Sequence, residues 1–332
     1  MRIAVDAMGG DFAPREAVVG AMEAIDSYDL EVILVGDEAT IRAEMAGYPG
    51  GGRISVYHAP EVIAMHEQPA VAVRKKRQSS IVVAVGLVKT GQAAGLVSAG
   101  HTGAAMASAL LGLGRIGGVD RPAIASVLPG EKGGVVLLDA GANVDCKPAN
   151  LAQFALMGSI YAEKIRGVEN PRVGLLSVGE EDCKGNELTL AAFPLLKGLD
   201  INFAGNVEGR DIFNNLVDVV VCDGFTGNIV LKMCEGLAGT LFRMTRAELS
   251  GSRGGTDYLP AVEALNRRLD YAEYGGAPLL GVNGVVVISH GSSRAKAFKN
   301  AIRMAGESVD NGLVRAIGAM VGKRYDEVSI DA

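Results

Sequence analysis

The amino-acid sequence predicts an α/β protein in which helices cover a mostly parallel sheet. A pattern repeats along the chain: a short apolar run rich in β-branched residues, a glycine-containing turn, and then a helical stretch. The apolar runs are continuous, which is typical of strands that are covered on both faces. The 332 residues include 45 glycines without low-complexity tracts, which indicates many tight turns and close backbone approaches.

Seven apolar runs predict the strands, and a helical stretch follows each of them. In chain order the predicted strands are Ile3–Val5, Glu31–Val35, Leu96–Ser98, Val135–Leu138, Val173–Ser177, Val219–Cys222 and Val285–Ser289. The predicted helices begin near or just after Pro14, Asp37, Thr102, Pro148, Asn186, Gly224 and Ser293.

The segment 250–274 predicts a helical excursion from the main body. Its apolar residues fall at helical spacing, and two arginines lie close to them in sequence. Such a helix either lies on an anionic membrane surface or is buried between two copies of the chain, and the sequence leaves both open. The residues concerned are Leu259, Val262, Leu265, Arg267, Arg268 and Leu269.

Composition excludes several classes of protein. The chain is 48% hydrophobic and 21% charged, which is ordinary for a globular protein, and its net charge of −6 argues against a general nucleic-acid binder. The uncharged stretch from Thr90 to Gly114 is long enough to cross a bilayer, but a glycine turn at its centre predicts a buried strand–helix unit instead. We expect a cytoplasmic protein with reduced thiols, because its four cysteines are far apart and form no metal motif: Cys146, Cys183, Cys222 and Cys234.

Polar side chains in the glycine turns are the candidates for chemistry. In open parallel sheets ligands bind beyond the carboxyl ends of the strands, where turns direct free N–H groups at anions. Lys184 stands among acidic residues in one such turn, and it is either a solvated counter-charge or a group that binds phosphate or polarises a carbonyl. Asn228 follows another strand and offers a neutral amide donor. Cys183 is disfavoured as a nucleophile because no histidine lies close to it in sequence.

Other motifs are weaker. The basic run of Arg74, Lys75, Lys76 and Arg77 is either a solvated helix face or a docking site for an acidic partner. The match to GxGxxG at residues 112–117 lies at the end of a helix, where it cannot bind a dinucleotide. The four histidines form no metal set, so the sequence predicts neither a metal nor a cofactor.

A set of motifs in order along the chain carries a family resemblance. The motifs are Met8-Gly9-Gly10-Asp11, the run from Ser98 to Ala104, Arg121-Pro122-Ala123, Asp139 to Asn143, Lys184-Gly185-Asn186-Glu187, Asp223 to Asn228, Tyr274-Gly275-Gly276-Ala277 and His290-Gly291-Ser292-Ser293. On these residues the chain resembles the PlsX family, the acyl-(acyl-carrier-protein):phosphate acyltransferases of bacterial phospholipid synthesis.

The resemblance implies a single domain over 1–332 with a fold like that of isocitrate and isopropylmalate dehydrogenases and phosphate acetyltransferase. It implies a homodimer in which inorganic phosphate displaces the thiol of acyl carrier protein. The acyl phosphate would feed a membrane glycerol-3-phosphate acyltransferase, which leaves peripheral membrane association open. On this mechanism we assign Lys184 and Asn228 as catalytic, and the substrate-binding and phosphate-binding residues as His101, Thr102, Gly103, Asn143, Asn186, Thr226 and Ser292.

Two residues depart from the family pattern. Phe12 stands where the family usually has histidine, and His101 stands where it usually has asparagine. Two other functions remain open from the sequence: a phosphate acyltransferase that uses acyl-CoA, and a non-catalytic membrane scaffold of lipid synthesis.

Overall fold

The computed structural model describes residues 1–48, 52–130, 133–251, 255–269 and 271–330. Eleven strands lie within these residues: β1 (Arg2–Asp6), β2 (Glu31–Gly36), β3 (Ile54–His58), β4 (Gly95–Ser98), β5 (Ala123–Leu128), β6 (Val135–Leu138), β7 (Val173–Leu176), β8 (Phe203–Val207), β9 (Val219–Val221), β10 (Ala277–Leu280) and β11 (Val285–Ile288). The α-helices are α1 (Arg15–Ser27), α2 (Glu38–Met45), α3 (Pro69–Lys75), α4 (Ser80–Lys89), α5 (Thr102–Gly112), α6 (Pro148–Arg166), α7 (Glu187–Lys197), α8 (Gly224–Gly251), α9 (Leu259–Leu269), α10 (Tyr271–Tyr274), α11 (Ala295–Asp310) and α12 (Leu313–Ile330).

The strands form one sheet in the order β3-β2-β1-β4-β11-β10-β5-β6-β9-β7-β8. Pairing is parallel within β3-β2-β1-β4-β11 and again within β6-β9-β7-β8. The two central strands, β10 and β5, pair antiparallel with each other and with their outer neighbours. The predicted class, a mostly parallel sheet flanked by helices, is therefore confirmed.

The two parallel halves run in opposite directions and end near the same level of the sheet. Pro278 pairs with Val287 near the end of β11, and the next residue of β10, Leu279, pairs with Ile124. Ala125, one residue further along β5, pairs with Leu138, the last residue of β6. The turns that follow β11 and β6 therefore both begin close to the β10–β5 junction at the centre of the molecule.

All seven predicted strands are present, and the sequence missed β3, β5, β8 and β10. The exposed residues of β3 and the glycine and asparagine of β8 weaken the apolar signal in these two edge strands. A proline, which is confined mostly to edges and strand ends, weakens the signal of β10.

Side-chain caps explain where several helices begin. Asp37 accepts a hydrogen bond from the Thr40 amide at 2.9 Å at the start of α2. Asn186 does the same for the Thr189 amide at 2.9 Å at the start of α7. Both helices begin where the sequence predicted them.

The core consists of three clusters of buried, mostly aliphatic side chains on the faces of the sheet. The uncharged stretch 90–114 supplies β4 and α5, and α5 buries Ala104, Ala105 and Ala109 against the sheet. This segment is the buried strand–helix unit that the sequence predicted. Among the described helices, none has the length and hydropathy needed to cross a membrane.

The predicted excursion is helical, and most of it lies beyond the end of α8. A short 3-10 helix at Gly255–Tyr258 precedes α9, and α10 leads back to the sheet. Leu265 is exposed, whereas Leu259 and Val262 are half-buried. The side chains of Arg267, Arg268 and Leu269 lie outside the described residues.

Candidate active site

Asp139 organises the turn that follows β6. Its buried carboxylate accepts hydrogen bonds from five N–H groups, so both oxygens are saturated by the chain itself. Oδ1 accepts from the amides of Ala142 at 2.9 Å, Ile124 at 3.0 Å and Gly141 at 3.2 Å. Oδ2 accepts from the Asn143 amide at 2.7 Å and from its Nδ2 at 2.8 Å. Asp139 thus holds the shape of a turn in which the sequence analysis assigned a binding role only to Asn143.

Asn143 is buried and faces the protein interior. Its Nδ2 donates to Asp139 and also to the Pro122 carbonyl at 2.8 Å, which uses both amide protons. Its carbonyl accepts from the Gly224 amide at 2.7 Å. Asn143 therefore positions the first turn of α8 through its backbone, and its side chain has no proton left for a substrate.

The start of α8 packs closely on the Asp139 turn. A Cβ at Gly224 would stand 2.6 Å from the Asn143 carbonyl oxygen, so only glycine permits this approach. Thr226 donates its amide and hydroxyl to Asp223 at 2.9 and 2.8 Å. Asn228, one turn into α8, is exposed and lies over Gly141. A Cβ added to Gly141 would stand 3.4 Å from the Cβ of Asn228. Asn228 is thus held at a fixed place with its amide open to solvent.

Lys184 lies in the turn after β7. Its aliphatic stem passes over Gly179, where a Cβ would stand 3.0 Å from Lys184 Cγ. The turn is held by Asn206 Nδ2, which donates to the Glu181 carbonyl at 2.8 Å, and by the Ser177 hydroxyl, which donates to the Lys184 carbonyl at 3.2 Å. Lys184 is exposed, and within the described part of the chain its ammonium group makes no ion pair or hydrogen bond.

The turns after β6, β9 and β7 lie at one edge of the sheet. These three strands are neighbours, and Val221 of β9 pairs with both Leu138 of β6 and Leu175 of β7. The strands therefore end level with one another, which brings together the turns of Asn143, Asn228 and Lys184. Asn186 belongs to the same turn as Lys184, where its side chain caps α7.

A second group of turns follows β1, β4 and β11. The Asp11 amide donates to the Gly291 carbonyl at 2.8 Å, and a Cβ at Gly9 would stand 2.7 Å from the Gly100 nitrogen. The three glycine turns are therefore packed backbone to backbone. Ser292, in the last of them, lies 2.7 Å from His290 Nδ1 through its hydroxyl.

His101 begins α5 within this second group. Its Nδ1 accepts from the Gly103 amide at 3.1 Å, so the imidazole acts as the helix cap. Gly103 is crowded by Pro69 of α3, since a Cβ there would stand 2.7 Å from the proline ring. Thr102 is exposed at the first turn of α5.

A cavity of about 160 Å³ opens among these turns. One wall is polar and includes Asp6, Asp11, Ser80, Ser98 and His101. The other wall is apolar and comes mainly from residues 62–65 and α4 and α5: Val62, Ile63, Ala64, Met65, Ile81 and Ala104.

Asp6 is the buried charge of this cavity, at 3% exposure. The Ser98 hydroxyl donates to its Oδ2 at 2.7 Å, whereas Oδ1 has no partner in hydrogen-bond geometry among the described residues. Burial raises the pKa of Asp6, and the Ser80 and Ser98 hydroxyls with the Met8 and Gly9 amides only partly oppose it. Sequence analysis gave no role to Asp6 or Asp139, although each is an acidic residue at the carboxyl end of an apolar strand.

The basic run is divided between two roles. Lys76 is half-buried and donates to Glu67 at 2.6 Å and to the Val62 carbonyl at 2.8 Å, so it ties down the loop that forms the apolar wall. Arg74, Lys75 and Arg77 are exposed.

The cysteines differ sharply in environment. Burial raises the pKa of Cys146 to about 11 and that of Cys222 well above its ordinary value, so neither is a thiolate near neutral pH. Cys183 is exposed beside Lys184. Phe12, one of the two departures from the family pattern, lies under the Arg294 guanidinium, whose central carbon is 3.2 Å from the ring centroid.

One acidic group in the described residues has the spacing of a cation site. Glu180, Glu208 and Asp211 bring carboxylate oxygens within 4.8 Å of one another. Glu208 pairs with Arg210 at 2.5 Å, and Asp211 accepts from the Glu208 amide at 3.1 Å. Clusters of acidic side chains are common without a bound ion, and we assign no role to this one.

Comparison with solved structures identifies the class of fold. A phosphotransacetylase from Streptococcus pyogenes superposes with a TM-score of 0.66 at 19% identity, over 93% of this chain and 94% of that one. A 4-hydroxythreonine-4-phosphate dehydrogenase from Klebsiella pneumoniae superposes with a TM-score of 0.52 at 14% identity, over 93% of this chain and 98% of that one. The fold is that of the phosphotransacylases, and it is shared with a dehydrogenase.

Sequence comparison identifies the family. A family model described as "Fatty acid synthesis protein" matches residues 1–316. A "Phosphate acyltransferase" of Pelotomaculum thermopropionicum is 62% identical over 325 residues, 97% of this chain and 95% of the relative. One from Desulforamulus reducens is 57% identical over 320 residues, 96% of each chain. The chain therefore belongs to the PlsX family of phosphate acyltransferases.

Proposed function

We propose that this protein transfers a long-chain acyl group from acyl carrier protein to inorganic phosphate, for phospholipid synthesis. The relatives' name supports phosphate as acceptor. A phosphate oxygen forms a bond to the thioester carbonyl carbon, the C–S bond breaks, and its electron pair leaves with sulfur. The thiolate takes up a proton from solvent, and the product is an acyl phosphate, which a membrane glycerol-3-phosphate acyltransferase consumes.

The observation that carries the proposal is the level ending of β6, β9 and β7. It brings two groups to one edge, beside the amino-terminal end of the 28-residue helix α8: the exposed amide of Asn228 and the ammonium of Lys184, which makes no ion pair or hydrogen bond within the described residues. A cation, a neutral donor and a helix amino terminus together suit a phosphate dianion and a developing oxyanion.

Each assigned residue then has a role. Lys184 balances the charge of phosphate or of the tetrahedral oxyanion, and Asn228 donates a hydrogen bond beside it. Asn143 and Thr226 act as positioning residues, because their side chains are engaged within the protein. His101, Thr102, Gly103, Asn186 and Ser292 contribute turn geometry and backbone N–H groups around the substrate.

No step of this reaction requires a metal or a cofactor, because Lys184 supplies the positive charge. A chelator should leave the rate unchanged. Loss of the rate with a chelator, and its return with a divalent cation, would overturn this part of the mechanism.

We further propose a homodimer. Six side chains on one stripe of α8 are exposed, at a spacing of three or four residues: Phe225, Ile229, Met233, Leu237, Leu241 and Met244. The stripe runs from Phe225 to Met244, which is about 30 Å along the helix, and an exposed apolar stripe of that length fits the same stripe of a second copy.

The function is tested by incubating purified protein with phosphate and a long-chain acyl thioester on either acyl carrier protein or coenzyme A. Acyl phosphate formed faster from the carrier supports the proposal. Preference for acyl-CoA would favour the related acyl-CoA enzyme, and no product from either donor would favour the non-catalytic scaffold.

A further inference from the structure

The three turns of the candidate site each present a large apolar side chain to solvent. Val178, in the turn of Lys184, is 78% exposed, Val144, which follows Asn143, is 63% exposed, and Phe225, at the start of α8, is 59% exposed. Single exposed apolar residues are normal on a protein surface, whereas a group of them beside a polar site indicates a binding surface. We call Val144, Val178 and Phe225 the apolar patch.

A backbone hydrogen bond brings two members of the apolar patch together. The Gly224 amide donates to the Asn143 carbonyl at 2.7 Å, and Phe225 and Val144 are the residues that follow these two partners. Phe225 also lies three residues before Asn228 on α8, a spacing that makes two side chains neighbours on one face of a helix. Two members of the patch therefore lie next to the amide of Asn228.

The third member, Val178, lies beside Lys184. It precedes Gly179, where an added Cβ would stand 3.0 Å from Lys184 Cγ, so the aliphatic stem of the lysine passes next to this part of the turn. Strands β7 and β9 pair with each other and end level, so the turn of Val178 lies beside the start of α8. Each of the two residues assigned to catalysis thus has an exposed apolar neighbour.

The proposed reaction places an apolar group at this position. Lys184 and Asn228 stabilise the oxyanion formed at the thioester carbonyl, and the acyl chain is attached to that same carbonyl carbon. The first methylenes of the chain therefore stay close to these two residues. A methylene that is fully buried contributes about fourfold in affinity, whereas a polar ligand gains nothing from valine and phenylalanine side chains.

We infer that the apolar patch binds the first methylenes of the acyl chain. The inference rests on the proposed transfer of a long-chain acyl group. It makes Val144, Val178 and Phe225 determinants of acyl-chain preference, because an acyl group too short to cover the patch loses the affinity that its methylenes supply.

Binding of alkylphosphonates, measured by ligand-observed NMR titration, tests the patch without turnover. Octylphosphonate and methylphosphonate carry the same anionic head, which resembles the phosphoryl end of the acyl phosphate, and differ only in the length of the chain. We expect the wild type to bind the octyl compound about tenfold or more tightly than the methyl compound. The double variant Val144→Ser, Val178→Ser should lose most of this preference. It leaves Phe225 unchanged, since that residue also belongs to the exposed stripe of α8.

The same double variant is then measured in turnover. The ratio of kcat/KM for octanoyl over acetyl groups on one carrier protein should fall by about tenfold relative to the wild type, with the phosphate KM unchanged.

Two controls separate the patch from the anion site and from the general surface. Leu111→Ser removes an exposed apolar side chain near the end of α5 and should retain the wild-type preference for the octyl compound. Lys184→Ala removes the cation and should weaken binding of both phosphonates by a similar factor. Thermal unfolding and native mass check that each variant is folded and has the oligomeric state of the wild type.

Equal affinity of the wild type for the two phosphonates would overturn the inference, and so would an undiminished preference in the double variant. A double variant of lower mass than the wild type would assign the patch to a contact with a second copy of the chain, which also overturns it. A protein that prefers the octyl compound through this patch but forms no acyl phosphate would retain the site and refute the proposed reaction, so the two failures are distinguishable.

Discussion

The backbone amide of Gly224 donates to the backbone carbonyl of Asn143 at 2.7 Å. This bond joins the turn after β6 to the first turn of α8, the helix that carries Asn228. The placement of Asn228 therefore depends on a loop more than 80 residues earlier in the chain. Asp139 holds that loop in shape.

The first prediction concerns Asn143. Asn143→Ala removes two buried hydrogen bonds, to Asp139 and to Pro122, and leaves their acceptors without those donors. We expect a loss of about 1–3 kcal/mol in the free energy of unfolding, measured with urea, and a lower kcat with little change in the phosphate KM. A variant with normal stability but a raised phosphate KM would show instead that the side chain contacts phosphate.

The second prediction concerns Lys184. Lys184→Ala should reduce kcat by about a hundredfold or more, the scale observed for loss of an oxyanion donor. Its free energy of unfolding should change by only about 0.5 kcal/mol, because the side chain is exposed. Asn228→Ala should be milder, since a neutral amide stabilises charge less.

Two controls accompany the Lys184 measurement. Lys164→Ala removes an exposed lysine on α6 and should be fully active. Cys183→Ser should also be active, because direct attack by phosphate forms no acyl-enzyme. Full activity of Lys184→Ala would make that lysine a solvated counter-charge, and an inactive Cys183→Ser with trapped acyl-enzyme would replace direct displacement by covalent catalysis.

The third prediction concerns the exposed members of the basic run. The double variant Arg74→Glu, Lys75→Glu should raise the KM for the acidic acyl carrier protein, with little change in kcat and a weaker dependence on salt. Lys89→Glu with Lys164→Glu makes the same change of net charge elsewhere on the surface and should have a smaller effect. Equal KM values for the two double variants at low salt would refute docking on α3.

The fourth prediction concerns pH. Burial raises the pKa of Asp6 above 3.8, so the folded protein holds this proton to a higher pH than the unfolded chain does. The contribution of Asp6 to stability is therefore constant below that value and falls as pH rises from 3.8 toward the folded-state pKa. Urea unfolding from pH 4 upward should show the wild type losing stability relative to Asp6→Asn. A wild-type free energy of unfolding that stays constant or rises with pH, relative to that of Asp6→Asn, would contradict the raised pKa.

The fifth prediction separates the two apolar helical surfaces. Leu237→Glu places a charge in the middle of the α8 stripe and should convert the proposed dimer to a monomer, measured by native mass or light scattering. Leu265→Glu on α9 should leave the mass unchanged and reduce flotation with anionic vesicles. A monomeric Leu265→Glu would assign α9 to the dimer interface, and unchanged flotation would remove the membrane interpretation.

Much of the fold could be predicted because burial on both faces produces continuous apolar strands, and glycine turns mark their ends. Of the four strands that were missed, β3 and β8 are edge strands and β10 carries proline, where burial is incomplete or backbone pairing is limited; β5 is central and carries no proline. Their identity depends on pairing with distant segments, as in the pairing of β10 with β5, and no local pattern encodes it.

The candidate site could be predicted in part. Lys184 and Asn228 were singled out because a polar residue in a glycine turn has a local signal, and their catalytic role stays a prediction. Asp139 was missed because the five N–H groups that donate to it are brought together only by the fold. Asp6 was missed because the burial of its carboxyl group follows from the packing of three turns. Lys76 shows the same limit, since sequence alone cannot separate it from its exposed neighbours.

The place of β11 in the sheet has a consequence for biosynthesis. Residues 285–288 pair with 95–98, so the strand inserted beside β4 is the last to leave the ribosome. Until then β4 presents an open edge of unpaired backbone groups, although its other neighbour in the sheet, β1, was synthesised long before. A nascent chain truncated anywhere before 285 keeps that edge exposed, and it is a natural substrate for chaperones or an early source of aggregation.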